Sequence, residues 1–528
     1  GEELAYRSSE FLLGQAKNFP SDNIGNDNLG LGAVPSKVNT SFGDKTMLSF
    51  FARGNYSFND KYMLTATVRA DGSTVFSYKN KWGFFPSIGL AWRASGEKFL
   101  AGNKVITNLK VRGSFGVTGN QEIGNYKSLA QLKVDNYIYN DTEIQGFYET
   151  IGNPDLKWEK TYSFNAGIDF SFLKDKIQGS ISGYYKKTVD AFLSKTVCDV
   201  NGVTTYVVNS GNVENKGIEL SLNFNPINRA VSANGKRGFV WRFDPQIGQT
   251  LNKLLNDRIK RKDKTLQDEL TLSQFLNGSV QLSGTPLNTF FSFKYAGLDN
   301  QGKPTFKDLE ADRAEELHEK YKNLSKKDVW LAVLDESGTR VPVLQGGFNN
   351  YFGYRSFSLT VNFSYSIGNK IRLLRIASGE YSAVSPKPMQ NLRREFVNRW
   401  RKPGDENYTN IPALNTVAGA HSNPWWSSGT NMTHQIASNV YEMYDNSDIR
   451  VVSGNYLRLS SLSFRYNVDD RFCKKLGLKS AYINLTGTNL FTIAHKKLRG
   501  QDPTQSGSSP SVNLSVRPTY SCNLSITF

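Results

Sequence analysis

The chain has 528 residues, of which 38% are hydrophobic and 12% aromatic, and its formal net charge is +17. No run reaches the roughly 18 consecutive apolar residues of a membrane-spanning helix, which excludes spanning by helices but leaves spanning by strands open. Lys and Arg are dispersed along the chain, which favours a polar surface over nucleic-acid binding.

Residues 1–46 form the first segment, and they show no sustained hydrophobic period. The segment is rich in Gly, Asn, Ser and Pro, as in S-D-N-I-G-N-D-N-L-G-L-G-A-V-P-S. This composition predicts a loop. The strand count given below places the loop outside the cell, so we expect residues 1–46 to be an extracellular loop segment.

From Met47 onward, apolar and polar residues alternate in many segments of about ten residues. Successive strand side chains point to opposite faces, so each segment has one apolar and one polar face. In the segment 457–466 the phase slips at Ser460 and Ser461, which predicts a β-bulge. The predicted strands are 47–58, 62–70, 84–92, 109–117, 162–172, 177–185, 218–224, 239–251, 345–354, 357–367, 457–466, 483–491 and 519–528.

The last of these segments is the clearest example of the alternation. Tyr520, Leu524 and Ile526 alternate with small polar residues such as Asn523, and the chain ends on the aromatic Phe528. Repeated alternation with aromatic residues at the strand ends is typical of outer-membrane barrels. We expect the apolar set to face lipid and the polar set to face an enclosed interior, so Leu524→Arg should impair assembly far more than Asn523→Arg.

The connections between the predicted strands alternate between short and long, as in barrels with tight periplasmic turns and long outer loops. With about thirteen strands and a periplasmic C-terminus, the N-terminal segment would lie outside. A complete barrel has an even number of strands and starts in the periplasm. The fold class is therefore predicted to be all-β, with residues 47–528 forming the C-terminal part of a transmembrane antiparallel β-barrel.

Several stretches resemble the SusC/RagA family of TonB-dependent outer-membrane transporters, in the family's order from near residue 40 to the C-terminus. They are L-T-A-T-V-R-A-D-G-S-T-V-F (64–76), W-G-F-F-P-S-I-G-L-A-W-R (82–93), L-K-V-R-G-S-F-G-V-T-G-N-Q (109–121), N-P-D-L-K-W-E-K-T (153–161), N-V-E-N-K-G-I-E-L (212–220), Y-A-G-L-D-N-Q-G-K-P (295–304), G-G-F-N-N (346–350), N-R-W-R-K-P-G-D (398–405), Y-L-R-L-S-S-L (456–462) and N-L-F-T (489–492).

The resemblance implies a barrel of about 22 strands, an N-terminal plug and a SusD-like surface lipoprotein as a lid. It also implies import of a glycan, a peptide or another large nutrient, with energy passed by TonB through the N-terminal region. That region and the first strands are absent from this sequence. Two alternatives stay open: a scaffold in an outer-membrane surface complex without transport, and a soluble carbohydrate-binding or hydrolytic all-β protein.

Candidate ligand contacts are expected in the long loops, where function lies on a rigid scaffold. Trp425 and Trp426, in N-P-W-W-S-S-G, could stack on a sugar ring, grip the lid protein or pack beneath their own loop. Residues 308–331 predict a short surface helix. A basic run is interpreted as a solvated face; it consists of Arg258, Lys260, Arg261, Lys262 and Lys264.

Catalytic and metal sites have no candidates in the sequence. Cys198, Cys473 and Cys522 are far apart, form no CxxC pair and join no plausible set with the four histidines. No Ser-His-Asp or paired-carboxylate arrangement can be argued from spacing. We therefore predict a protein that is not an enzyme and has no cofactor.

Overall fold

A computed structural model of the chain describes residues 1–21, 31–32, 34–139, 142–150, 152–196, 205–228, 238–255, 271–376, 393–414, 439–498, 501–504 and 516–528. Strands dominate these residues. The strands are β1 (Glu2–Lys17), β2 (Val34–Phe58), β3 (Tyr62–Ser73), β4 (Trp82–Arg93), β5 (Ile106–Asn120), β6 (Gln131–Tyr139), β7 (Thr142–Thr150), β8 (Glu159–Phe172), β9 (Ile177–Thr196), β10 (Thr205–Asn228), β11 (Phe239–Gln249), β12 (Leu251–Leu254), β13 (Thr289–Phe293), β14 (Tyr295–Leu298), β15 (Pro304–Phe306), β16 (Leu334–Thr339), β17 (Leu344–Tyr354), β18 (Phe357–Ile367), β19 (Lys370–Arg372), β20 (Val451–Ser453), β21 (Tyr456–Asn467), β22 (Ser480–Ala494) and β23 (Thr519–Thr527).

The helices are short and lie in the connections between strands. They are α1 (Leu272–Asn277), α2 (Ala314–Tyr321), α3 (Lys326–Val333), α4 (Val440–Asp445) and α5 (Asp470–Lys475). Within the described residues, no helix has the length and apolar character needed to cross a membrane.

One large sheet contains the long strands, and the strands that neighbour each other in it follow one another in chain order. The order is β1-β2-β3-β4-β5-β8-β9-β10-β11-β17-β18-β21-β22-β23, with β12 paired to β10. The remaining strands form two-stranded sheets inside the connections: β6–β7, β13–β16, β14–β15 and β19–β20. The predicted all-β class is confirmed.

The chain divides into two compact units. The first comprises residues 1–91, 113–164 and 186–213, and the second comprises residues 92–112, 165–185 and 214–528. The first unit has a small core around Trp158, whose ring lies 5.3 Å from those of Phe76 and Phe85. Its indole N–H donates to the Lys81 carbonyl at 2.8 Å. This hydrogen bond satisfies the polar end of a buried aromatic side chain.

Strand register in the second unit continues the sequence alternation from strand to strand. Leu359, Phe464 and Leu485 stand opposite one another in one row across β18, β21 and β22. The next row contains Ser463 opposite Thr486. Residues directly opposite share a face of the sheet, so each row is either apolar or polar. The predicted two-sided strands are confirmed here.

The predicted bulge in β21 is also confirmed. Asn362 pairs with Ser461 and Phe363 pairs with Leu459, so the register skips Ser460. In a regular strand, Leu459 and Leu462 are three residues apart and would point to opposite faces. The bulge therefore keeps Leu459 and Leu462 on the same, apolar face of β21, although the alternation in the sequence shifts by one residue.

The predicted loop over residues 1–46 is wrong for Glu2–Lys17, which forms β1, and for residues 34–46, which belong to β2 and pair with β1. With β1 added, fourteen strands follow one another along the described sheet and the short β12 lies off this path, so the odd strand count that placed the N-terminal segment outside is also wrong. The 15-stranded sheet of the described residues contains the thirteen predicted strands, β1 and the short β12. Alternation marks a strand only where one face meets an apolar medium, and β1 has polar residues on both faces.

Candidate ligand-facing wall and loop module

The long connections of the second unit fold together into one compact body. We define the loop module as residues 271–376, 393–414 and 439–453, apart from β17 and β18. A single hydrophobic core runs through it. Its buried residues are Phe275, Val280, Leu282, Phe291, Phe293, Phe306, Leu309, Leu317, Tyr321, Val329, Trp330, Val333, Leu334, Ile376, Phe396, Val440, Tyr441, Met443 and Tyr444.

The helix predicted within residues 308–331 contributes to this core. The structure resolves it into α2 and α3, and it buries Leu317 and Tyr321 instead of leaving them at a surface. The Tyr321 hydroxyl donates to the Asp308 carbonyl at 3.1 Å. Burial raises the pKa of Tyr321 to about 12, so this hydroxyl remains a donor at neutral pH.

Two of the motifs quoted above meet inside the module, one around Gly302 and one around Trp400. Gly302 has a φ of +75°, and a Cβ at this position would lie 2.5 Å from the Trp400 ring. The Trp400 indole N–H donates to Glu406 at 2.8 Å, and this bond holds the pKa of that carboxyl below its ordinary value. The Ala413 amide donates to the Gly302 carbonyl at 3.0 Å, which closes the contact.

Buried arginines cross-link the connections. Arg450, only 4% exposed, pairs with Glu395 at 2.6 Å and donates to the Leu374 carbonyl at 2.6 Å. Arg372 is fully buried, donates to the Phe291 carbonyl at 2.8 Å and lies 5.2 Å from the Phe290 ring centroid. Hydrogen bonds from buried cations to carbonyls are strong, so they fix the positions of these segments relative to one another.

A third tie links β21 to the connection that precedes β23. The Arg458 guanidinium donates to both carboxylate oxygens of Asp502, at 2.7 and 2.8 Å. Burial alone would raise the pKa of Asp502, but hydrogen bonds from Thr504 and the Arg458 charge hold it below its ordinary value. The carboxylate therefore stays ionised and paired at neutral pH.

A polar cavity of about 640 Å³ lies in the second unit, on the wall formed by β9, β10, β11, β17 and β18. Ser221 stands opposite Gln246, and Ser364 continues the same row two strands further along. Arg112, at the cavity edge, pairs with Asp169 at 3.2 Å and donates to Ser180 at 3.1 Å. The lining residues are Arg112, Ser180, Ser182, Glu219, Leu220, Ser221, Gln246, Ile247, Gly248, Gln345, Gly346, Ser364, Tyr365 and Tyr456.

The cavity offers hydroxyl, amide and carboxylate groups side by side. Such groups can donate and accept hydrogen bonds to a polar ligand, and they carry no nucleophile–base pair for catalysis. In the part of the chain that the structure describes, no cluster of His, Cys, Asp and Glu could hold a metal ion. The arrangement suits binding or passage of polar solutes.

The residues singled out as ligand contacts in the sequence, Trp425 and Trp426, lie outside the described residues, as does the basic run between 258 and 264. The cavity residues were missed by sequence reasoning. Serines and glutamines at alternate strand positions looked like any polar barrel face, and only the register brings them together. The loop core was missed because its apolar residues come from two connections that are remote in sequence, β12 to β17 and β18 to β21.

Comparisons with known proteins agree with this fold. A family model described as "TonB dependent receptor-like, beta-barrel" matches residues 4–309. The chain is 27% identical over 503 residues to TonB-dependent receptor P3 of Formosa agariphila, covering 94% of this chain and 46% of that protein. It is 35% identical over 268 residues to TonB-dependent receptor SusC of Bacteroides thetaiotaomicron, covering 49% of this chain and 26% of that protein.

Among solved structures, the RagAB peptide transporter superposes with a TM-score of 0.75 at 21% identity, covering all of this chain and 52% of that one. The chain thus spans about half the length, or less, of the relatives that it matches. The apolar and polar rows described above are the pattern that this family's barrel requires. The chain belongs to the TonB-dependent receptor β-barrel family of the outer membrane and is SusC-like.

Proposed function

We propose that the protein containing this chain imports a large nutrient, a glycan or a peptide, across the outer membrane. The observation that carries the proposal is the cavity in the wall of the sheet, lined largely by polar side chains, since a solute passing a membrane needs a polar path. The names of two relatives, the receptor SusC and the RagAB peptide transporter, support the same function.

Import of this kind requires partners, which we propose from the family. They are a SusD-like surface lipoprotein that closes the entrance, TonB acting through an N-terminal region, and the remaining N-terminal part of the same barrel. Lipid and lipopolysaccharide cover the apolar rows, and the C-terminus lies in the periplasm. The loop module offers the lid a rigid surface, because its core is continuous and its arginines are paired within it.

Trp425 and Trp426 are proposed contacts with the substrate or with the lid. Both lie in sequence between β19 and β20, outside the described residues. Their rings would stack on a sugar or fill an apolar pocket of a protein partner. Replacing both with Ala should weaken uptake or lid retention without changing barrel assembly.

The decisive experiment is growth of the source bacterium on defined glycans or peptides as sole nutrient. Deleting the gene or TonB should abolish growth on one substrate class, and the wild-type gene should restore it. The double variant Gln246→Ala/Ser221→Ala should reduce uptake several-fold, whereas a matched change on the apolar face, Leu359→Val, should not. Normal growth of the deletion strain on every substrate, together with loss of a surface complex, would favour the scaffold function.

A further inference from the structure

The short connections of the second unit carry exposed cations beside exposed apolar side chains. We define the turn rim as residues 94–105, 173–176, 355–356 and 468–479, which join β4–β5, β8–β9, β17–β18 and β21–β22. Its basic residues are all exposed. They are Lys98, Lys104, Lys174, Lys176, Arg355, Arg471, Lys474, Lys475 and Lys479.

Among the described residues, none of these cations forms an ion pair. In the described part of the loop module, Lys294, Arg313 and Arg450 do form ion pairs, whereas the exposed Lys307 and Lys320 do not. The rim also contains few acidic residues, and one of these, Asp469, is used as the N-cap of α5. A group of unpaired cations in one layer attracts an anionic surface.

Helix α5 is the centre of the rim. Its residue Cys473 is fully buried, while Phe472 and Leu476 are 58% and 59% exposed. Residues four apart lie on the same side of a helix, so these two side chains form one apolar edge. Lys474 and Lys475, in its last turn, flank that edge. An apolar edge flanked by Lys is the arrangement of helices that lie in a membrane interface.

The neighbouring turn extends the same layer. The Asn467 amide, at the end of β21, donates to the Ser356 carbonyl at 2.8 Å, which holds the α5 connection against the β17–β18 turn. On that turn, Tyr354 and Phe357 are 50% and 47% exposed, and Arg355 lies 5.1 Å from the Tyr354 ring centroid. Aromatic residues of this kind mark the level of lipid headgroups.

We propose that the turn rim is a binding site for the anionic headgroups of glycerophospholipids in the periplasmic leaflet, with α5 as its anchor. Phe472 and Leu476 enter the boundary of the acyl chains, and the adjacent Lys side chains contact the phosphodiester groups. The proposal rests on the proposed function for its orientation, because that function places the short connections in the periplasm. The row of Tyr354, Phe357 and Tyr466 lies next to the rim, so the site continues the lipid-facing surface.

The test uses the protein purified from the outer membrane in detergent, titrated with phosphatidylglycerol or phosphatidylcholine and read by native mass spectrometry. Wild type should bind phosphatidylglycerol more tightly than phosphatidylcholine. The variant Arg471→Gln/Lys474→Gln/Lys475→Gln should lose at least about tenfold in affinity for phosphatidylglycerol alone, since each surface cation contributes to anionic-lipid attraction. Phe472→Ser/Leu476→Ser should weaken binding of both lipids.

A matched control replaces three exposed lysines of the loop module, as Lys307→Gln/Lys320→Gln/Lys322→Gln, and should leave both titrations unchanged. Retained heat modifiability shows that each variant is folded. Asp470→Asn removes a negative charge from α5 and should strengthen phosphatidylglycerol binding. The proposal is overturned if the rim variant titrates like wild type, or if lipopolysaccharide competes better than phosphatidylglycerol. No substrate, TonB or lid enters this assay, so a failure of the uptake experiment leaves its result standing.

Discussion

The loop module and the turn rim lie at opposite ends of the same strands, and they treat apolar side chains differently: the module buries a continuous core, whereas the rim leaves Phe99, Phe472 and Leu476 exposed. In the module, Phe293 is 1% exposed and Arg450 is paired with Glu395. In the rim, Phe99 is 71% exposed and Lys98 has no partner among the described residues. A body that faces water must bury and pair such groups within itself, whereas a body at a membrane interface can leave them to lipid.

The largest difference between the two ends should appear when an aromatic ring is removed from each. Phe293→Ala leaves a cavity beside Phe306, whose ring centroid is 5.8 Å away, and should destabilise the module by about 3–5 kcal/mol. Phe99→Ala in the rim should change stability by less than about 0.5 kcal/mol. Hydrogen exchange of both variants in detergent measures the loss of stability. Equal losses for Phe293→Ala and Phe99→Ala would contradict the difference between the loop module and the turn rim.

A somewhat smaller effect is expected from breaking a buried ion pair. Asp502→Asn leaves the Arg458 guanidinium, 11% exposed, without its charge partner and should cost about 3 kcal/mol. Lys322→Gln removes the exposed pair with Glu319 and should cost only a few tenths of a kcal/mol. Limited proteolysis of the connection before β23 distinguishes the two variants.

The same pair predicts a pH dependence. The pKa of Asp502 is lower in the folded protein than the ordinary value near 3.9. Its contribution to stability is therefore complete above about pH 4 and is lost as the pH falls through the folded pKa. Proteolytic protection of this connection should drop at acid pH in wild type, and Asp502→Asn should lack that step.

Two glycines with positive φ allow the cost of backbone strain to be separated from the cost of a steric clash. Gly302 (φ +75°) faces the Trp400 ring, whereas Gly102 in the rim (φ +80°) has open space around its Cβ position. Gly102→Ala should cost about 1 kcal/mol from backbone strain alone, and Gly302→Ala about 1–2 kcal/mol more from the clash. Thermal unfolding followed by tryptophan fluorescence compares them; similar losses would show that the Trp400 contact is loose.

The smallest effect concerns the strand faces near the rim. Leu524→Arg places a charge on the apolar row and should cost about 1–2 kcal/mol at this distance from the membrane midplane. Asn523→Arg, on the polar row, should cost less than about 0.5 kcal/mol. Heat-modifiability gels report assembly of both variants. If Asn523→Arg assembled worse than Leu524→Arg, the assigned faces would be reversed.

Sequence reasoning succeeded where lipid enforces alternation. The faces of β21 could be predicted to the residue, including the bulge at Ser460, because a one-residue slip would expose polar groups to lipid. β1 could not be predicted, because polar residues fall on both of its faces, and the hairpin β6–β7 lies inside what the sequence indicates only as a long connection. Neither could the loop core, where Phe275 and Phe291 meet from separate elements. Trp425 and Trp426 stay a prediction.

Spin labels on two adjacent positions of β21 test the two-sided sheet most directly. Phe464, 42% exposed, lies in an apolar row, and Ser463, hydrogen-bonded to Asn484 at 2.8 Å, lies in a polar one. With each position labelled in turn through an introduced cysteine in lipid bilayers, the label at 464 should collide with oxygen dissolved in lipid. The label at 463 should instead collide with a water-soluble nickel chelate. Preferential access of the chelate to position 464 would contradict the assignment of the faces.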